Sequence, residues 1–171
     1  MALPKLNTPT YELEIPSTDE KIKYRPFLVK EEKILMIAME SQDQKQIVQA
    51  VKDIVSACTY DKLNIDEMPM FDVEYVFLQI RAKSVGEESK LKILCPDDGK
   101  TYAPVTVDLT KVEVQVDEGH TNKIELTKDT GLIMTYPTFK TMDSLGDTKL
   151  KSENMLDVIS SCILQIYENK G

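Results

Sequence analysis

The only histidine of the chain, His120, is the residue best suited to acid–base chemistry near neutral pH. It lies in a polar stretch between Glu118 and Asn122. A catalytic histidine needs a nucleophile or an orienting carboxylate beside it in space, and the sequence contains no nucleophile-elbow motif. We therefore predict an exposed loop histidine without a catalytic role, and a protein that is not an enzyme. A small enzyme would require His120 to share a pocket with a cysteine and a carboxylate.

Cys95 begins a Cys-Pro-Asp-Asp segment that contains one half of a zinc-binding pattern. A zinc knuckle has two cysteines separated by two residues, with a second pair of ligands elsewhere, whereas Asp98 occupies the second position here. Cys58 and Cys162 are solitary, and each lies on the apolar face of a predicted helix. We predict a β-turn, three buried thiols, and neither metal nor cofactor. A degenerate zinc ribbon that has lost its metal and kept its hairpin stays open, as does any metal at Cys95.

Two further ligand-binding patterns are missing from the sequence. A group of acidic residues lacks the alternate spacing and the central glycine of a calcium-binding EF-hand loop. The glycines are too isolated to form a loop that cradles phosphate. The acidic residues are Asp61, Asp66, Glu67 and Asp72, and the glycines are Gly86, Gly99 and Gly131.

Composition excludes several classes of protein. The 171 residues carry a formal net charge of −8, and no dense run of Lys or Arg interrupts the acidic background. Nucleic-acid binding uses clustered basic residues, so we predict none here. Met1–Leu6 lacks the apolar region of a secretory signal, and no apolar run approaches the ~20 residues of a membrane helix. We therefore predict a soluble protein. The odd number and wide spacing of the cysteines do not resemble a disulfide framework, so we predict a reducing cytoplasm.

Hydrophobic periodicity predicts a β-hairpin followed by three helices in residues 1–86. Tyr11, Leu13 and Ile15 alternate with glutamates, and Ile22 and Tyr24 resume the alternation after a turn. A helical block with a broad apolar stripe follows from Glu31 to Met39. Two further helices are predicted, one with a single apolar face and one, beginning near Pro69, that is apolar almost all round. Their apolar residues are Ile47, Ala50, Val51, Ile54, Val55 and Cys58, and Phe71, Tyr75, Val76, Phe77, Leu78, Ile80 and Ala82.

Alternating patterns predict an antiparallel β region in residues 87–150, followed by a C-terminal helix in residues 151–171. The Asp98-Gly99 pair is a strong hairpin signal, because glycine accepts the positive φ angle of the turn. Thr141–Lys149 is interpreted as a linker. Segregated strands and helices indicate an α+β fold that forms one compact unit. The predicted strands contain Leu91, Ile93 and Cys95; Val105, Val107 and Leu109; Val112, Val114 and Val116; Ile124 and Leu126; and Leu132 to Tyr136. The predicted last helix contains Leu156, Ile159, Cys162, Ile163 and Ile166.

The junction between the hairpin and the first helix offers candidate partner-binding residues. Tyr24, Arg25 and Phe27 are of the types that anchor protein interfaces, and the hairpin has an open edge that can accept another strand. The alternative is that these side chains belong to the core or to its rim. The basic strip from Lys21 to Arg25 is too short for an RNA platform and is interpreted as a solvated strand face or a protein-binding edge.

Long stretches of the chain resemble the baseplate hub assembly proteins, or central spike and hub components, of T-even-like contractile-tailed phages. The resemblance is carried by LPKLNTPTYEL at Leu3–Leu13, continuing through Tyr24–Lys33 to Met39 and Glu40, and by FDVEYVFLQIRAKSVGE at Phe71–Glu87. The Cys95-Pro96 hairpin leading to Val107-Asp108-Leu109 is similar to the same family. The similarity covers roughly the whole chain and is strongest before Gly86.

The resemblance implies an assembly protein that acts by binding other baseplate hub proteins, as a chaperone or as a minor hub component. It implies a place in the cytoplasm of the infected bacterium during assembly, and it implies no catalytic residues or cofactor. A permanent structural subunit of the virion baseplate is the alternative, and self-association into a homo-oligomer stays open. Members of the family continue past the last predicted helix with Phe-rich helical sequence, so we expect either a naturally shorter protein or a tail beyond Gly171.

Overall fold

A computed structural model describes residues 8–141 and 152–168. Within these ranges the predicted N-terminal hairpin is confirmed, with β1 at Tyr11–Glu14 and β2 at Lys21–Tyr24. The two strands pair antiparallel, so that Tyr11 lies opposite Tyr24 and Leu13 lies opposite Ile22. Because neighbouring residues of a strand point to opposite faces, one face is buried and the other carries charge. Lys21 and Lys23 on the charged face form exposed ion pairs with Glu14 and Glu12.

Three helices follow the hairpin, and the second and third form most of the core with it. Helix α1 spans Val29–Ser41, α2 spans Gln44–Cys58 and α3 spans Met70–Val85. Asp43 begins α2 because its carboxylate accepts a hydrogen bond from the Lys45 amide at 3.0 Å. A short 3-10 helix at Ile65–Glu67 precedes Pro69 and α3. The buried core residues come from the residue after β1, from β2, α2, the 3-10 helix and α3, and from the segment after β6: Ile15, Ile22, Tyr24, Ile54, Val55, Cys58, Ile65, Val73, Val76, Ile80 and Phe139.

The β region forms two separate small sheets. Strands β3 (Glu88–Leu94) and β4 (Tyr102–Asp108) form an antiparallel hairpin, named here the β3–β4 arm. Strands β5 (Lys123–Glu125), β6 (Thr130–Met134) and β7 (Ile163–Glu168) form a three-stranded antiparallel sheet in that order. A further helix, α4, spans Ser152–Ser161. The α+β fold class is therefore confirmed.

Two secondary-structure predictions are wrong. The C-terminal helix predicted within 151–171 ends at Ser161, and Ile163–Glu168 forms β7 on β6. Ile163 and Ile166 fit a helical spacing, but residues 163–168 also include the β-branched and aromatic types that favour strands. Pairing with β6 decides between the two, and local periodicity cannot reveal that partner. The segment Val112–Val116 alternates like a strand, but it pairs with no described strand. Its Val112 and Val114 instead lie half-buried against α2 and α3.

Two other predictions concern the linker and the membrane. The predicted linker Thr141–Lys149 lies outside the described residues from position 142 onward. Among the helices that the structure describes, none combines the length and the apolar character required to cross a bilayer.

Candidate protein-binding surfaces

Tyr24, the first of the predicted partner-binding residues, is part of the hydrophobic core. Its side chain is 2% exposed, and its ring centroid lies 5.7 Å from that of Tyr11 across the hairpin. Burial raises the pKa of the Tyr24 phenol because the anionic form would lose hydration. The alternation that predicted the hairpin therefore directs Tyr24 inward.

Arg25 joins the hairpin to both α1 and α2. Its backbone N–H donates to the Cys58 carbonyl at 3.0 Å, and its guanidinium lies 3.1 Å from the Glu31 carboxylate. Glu31 is only 3% exposed and also accepts a 2.7 Å hydrogen bond from the Leu28 amide. Burial acts to raise the pKa of Glu31, but the Leu28 N–H and the Arg25 guanidinium outweigh it, so the pKa is lowered. The pair fixes the start of α1 against the end of β2.

Phe27, the third predicted residue, is half-buried beside α3. Its backbone N–H donates to the Ser84 hydroxyl at 2.9 Å, and its side chain packs against the core. Tyr24, Arg25 and Phe27 are thus brought together by contacts within the chain. Partner binding by these residues stays a prediction.

Asp72, the last of the acidic residues between Asp61 and Asp72, is a fully buried carboxylate. It accepts hydrogen bonds from the Ser17 amide, at 3.1 Å, and from the Ser17 hydroxyl. These bonds tie the β1–β2 turn to the first turn of α3. Burial raises the pKa of Asp72, and the bonds from Ser17 offset that effect only in part. This contact has no sequence signal of its own, because Ser17 lies far from Asp72 along the chain.

We expect replacement of Asp72 by asparagine to flatten the pH dependence of stability. A carboxyl group whose pKa is higher in the folded state contributes stability below its unfolded pKa, and that contribution is lost as pH rises through the folded value. In Asp72→Asn the amide oxygen can still accept from the Ser17 N–H, and the amide nitrogen can donate to the Ser17 hydroxyl. Urea unfolding from pH 3.5 to 8 should therefore show the variant gaining stability relative to the parent as pH rises.

Asp66→Asn provides the matched control, because the Asp66 carboxylate lies nearby in sequence but is partly exposed and paired with Lys52. A difference between parent and Asp72→Asn that is constant across this pH range would contradict the assignment of a raised Asp72 pKa.

His120 is exposed, as predicted, but it has a partner. Its Nε2 lies 2.7 Å from the Tyr136 hydroxyl, and the two rings are nearly parallel with centroids 5.8 Å apart. Tyr136 in turn contacts Phe71 edge-on at 4.9 Å between centroids. Two open hollows flank His120, and one of them also contains Ser17 and Asp117, but neither lining includes a cysteine. Since Ser17 donates to Asp72, these described residues form no arrangement in which His120 activates a nucleophile. The absence of a catalytic role stays a prediction.

Two of the three cysteines are buried, as predicted. Cys58 and Cys162 are buried, and burial raises the pKa of the Cys58 thiol to about 11. Cys95 is only half-buried, because it lies in the turn of the β3–β4 arm, away from the core. Asp98, where a knuckle would have its second cysteine, accepts from the Thr101 hydroxyl and from two turn amides, which lowers its pKa to about 2. Across residues 8–141 and 152–168, no three His, Cys, Asp or Glu side chains form a metal-binding group.

Most of the apolar residues of α1 face solvent, which the sequence pattern did not indicate. Of its apolar residues only Ala38 is fully buried and Leu35 half-buried. Five large apolar side chains face away from the core and are here named the α1 surface: Val29, Ile34, Met36, Ile37 and Met39. Met36 and Ile37 are 56% and 55% exposed. Exposed apolar residues grouped on one element are typical of a surface that is covered in an assembly.

An apolar groove of about 450 Å³ lies between α2 and α3. It explains why α3 is apolar almost all round: one side of the helix faces the core, and another lines this groove. The lining residues are Ile47, Val48, Val51, Met70, Phe71, Val73, Glu74, Tyr75, Phe77, Leu78, Val112, Val114 and Phe139.

One of three comparisons with known proteins finds a match. Neither the curated proteins nor the solved structures contain a significant match to the chain. The sequence profile of the family described as T4 bacteriophage base plate protein matches residues 8–171, which is nearly the full length. The chain therefore belongs to the T4 bacteriophage base plate protein family, and it is a phage baseplate protein.

Proposed function

We propose that this baseplate protein acts in assembly of the baseplate hub, by binding other hub proteins and without catalysing a reaction. The observation that carries the proposal is the α1 surface, where large apolar side chains lie in water on a helix whose buried side is already fixed by Arg25 and Glu31. Burying such a surface against a partner is favourable by about 25 cal/mol per Å² of apolar area. In the folded chain alone the α1 surface stays exposed, so this favourable free energy is gained only on binding.

The mechanism that we propose is shielding of a partner surface. The α1 surface covers an apolar surface of a hub protein until the next subunit of the hub displaces it. This role places the protein in the cytoplasm of the infected bacterium during assembly. The acidic net charge of −8 keeps the free protein soluble.

Charge placed on the α1 surface should remove partner binding without unfolding the protein. The variant Met36→Lys/Ile37→Lys puts two ammonium groups where apolar contact is proposed. Removing these charges from water on binding is unfavourable. With a tagged chain expressed in infected cells, we expect recovery of co-purifying baseplate proteins, identified by mass spectrometry, to fall at least about tenfold, which corresponds to ~1.4 kcal/mol.

The matched control is Gln44→Lys/Gln49→Lys, which adds the same charge to two exposed polar positions of α2. It should recover baseplate proteins as the parent does, and both variants should keep the parental melting temperature. Undiminished capture by the α1 variant would rule out the α1 surface as the binding site.

A permanent place in the virion is the second candidate, favoured by the baseplate family itself. Purified particles distinguish the two roles. A shielding protein is released before the particle is complete, whereas a structural subunit stays in the particle in fixed number.

A further inference from the structure

We propose that the β3–β4 arm binds an extended strand of a partner protein in which acidic and apolar side chains alternate. The strand would add along the outer edge of β3. The inference rests on the proposed protein-binding function and specifies the chemistry of one segment that is bound.

The β3–β4 arm is left without a packing partner among the described residues. Its two strands pair with each other over seven residues each, and neither packs extensively on another described helix or strand. Apolar side chains on both faces of the arm lie in solvent: Leu91, Ile93, Leu94 and Tyr102. An isolated two-stranded hairpin is marginally stable in water, and a third strand beside an apolar face is what makes such a ribbon stable.

The hydrogen-bond pattern shows which edge of the arm is open. The Leu109 amide donates to the Glu87 carbonyl and the Cys95 amide donates to the Thr101 carbonyl, both at 2.8 Å. Odd-numbered residues of the arm therefore form the hydrogen-bonded pairs, and even-numbered amides point outward. Pro104 is even-numbered and has no N–H, so the outer edge of β4 lacks a donor near its middle.

The outer edge of β3 has no such gap. Its outward amides belong to Glu88, Lys90, Lys92 and Leu94, none of which is proline. A strand that adds to the arm with a full set of backbone hydrogen bonds must therefore do so on β3.

Charge determines which strand fits this edge. Lys90 and Lys92 share one face of β3 with Glu88, which begins the strand, and within the described ranges neither lysine forms an ion pair. Leu91 and Ile93 lie on the opposite face. Opposite charges on neighbouring strands stabilise a sheet, and like charges destabilise it. An added strand with acidic residues beside Lys90 and Lys92 and apolar residues on the other face satisfies this requirement.

Peptide binding to the full chain tests this selectivity. The probe is a fluorescein-labelled, capped ten-residue peptide that alternates Glu and Val, and the control peptide alternates Lys and Val. By fluorescence anisotropy we expect binding of the Glu/Val peptide and at least about tenfold weaker binding of the Lys/Val peptide. The variant Lys90→Glu/Lys92→Glu should reverse that order. Equal binding of both peptides, no binding, or an unchanged order in the variant would overturn the proposal.

Proline substitution tests the edge itself. Leu94→Pro and Thr106→Pro each remove one outward amide, on β3 and on β4, and neither amide belongs to the hydrogen-bonded pairs inside the arm. Leu94→Pro should weaken Glu/Val peptide binding at least about tenfold, while Thr106→Pro and the side-chain control Leu94→Ala should change it less than about twofold. An equal loss in both proline variants would place the strand elsewhere. A dimer of the parent detected by sedimentation would also contradict binding of a partner strand at β3.

These outcomes are separable from the test of the proposed function. If the peptide fails to bind while Met36→Lys/Ile37→Lys still abolishes capture of baseplate proteins, the strand-binding inference is wrong and the proposed function stands. If the peptide binds as expected while that variant captures baseplate proteins undiminished, the α1 surface is wrong and the arm remains a binding site.

Discussion

Replacing Glu31 by alanine is expected to lower the free energy of unfolding by about 3–5 kcal/mol, the range for breaking one partner of a buried ion pair. The Arg25 guanidinium would be left largely buried without its carboxylate at 3.1 Å. The Leu28 N–H would lose its acceptor at the start of α1. Urea denaturation followed by circular dichroism at pH 7 measures the loss.

The neighbouring substitution Glu32→Ala is the control, because Glu32 is exposed in the same turn of α1. Its effect should stay within about 0.5 kcal/mol, as is usual at the surface. The pH dependence supplies a second test. Since the folded-state pKa of Glu31 is lowered, its contribution is present above the unfolded pKa and is lost as pH falls through the folded value. The gap between parent and Glu31→Ala should therefore narrow in acid, and a gap that widens would contradict the ion pair.

Ile80→Ala should cost about 2–5 kcal/mol, because Ile80 is fully buried in α3 and its removal leaves a cavity among core side chains. The identical deletion in the β3–β4 arm, Ile93→Ala, should cost less than about 1 kcal/mol, since Ile93 is 49% exposed and little surrounds it. Both free energies come from the same urea titrations.

The difference in stability loss between Ile80→Ala and Ile93→Ala also bears on function. If Ile93 contributes little to folding, its apolar surface is available to a partner strand. Equal losses for the two deletions would mean that the arm is packed in the folded chain, and the strand-binding inference would then lose its basis.

Much of the fold follows from local sequence alone. The alternation of Tyr11, Leu13 and Ile15 determines a strand with one buried face, and Ile15 is buried as this pattern requires. The spacing from Ile47 to Cys58 determines an amphipathic helix, and α2 spans Gln44–Cys58. Gly99 adopts a φ angle of +61° in the turn of the β3–β4 arm, for the reason that Asp-Gly predicts a hairpin. In each case one short segment contains the whole signal.

The surfaces that matter for binding could not be read from the sequence. The apolar residues of α1 form a stripe whether they face the core or solvent, and the Arg25–Glu31 pair and the packing of Ala38 decide the direction. Among the residues of interface-anchor type, Tyr24 is buried by the alternation of the hairpin, whereas Arg25 and Phe27 are half-buried.

The sequence by itself determined the class of protein, the hairpin, the amphipathic helices and the absence of any recognisable catalytic motif, because these depend on residue type and period over a few turns. Only the tertiary structure decided that Ile163–Glu168 is a strand, that α1 presents Met36 and Ile37 to solvent, and that β3 has the open edge. Those outcomes depend on contacts between residues far apart in the chain. One pattern of side chains is compatible with several packings, and the segment that packs against it decides which one forms.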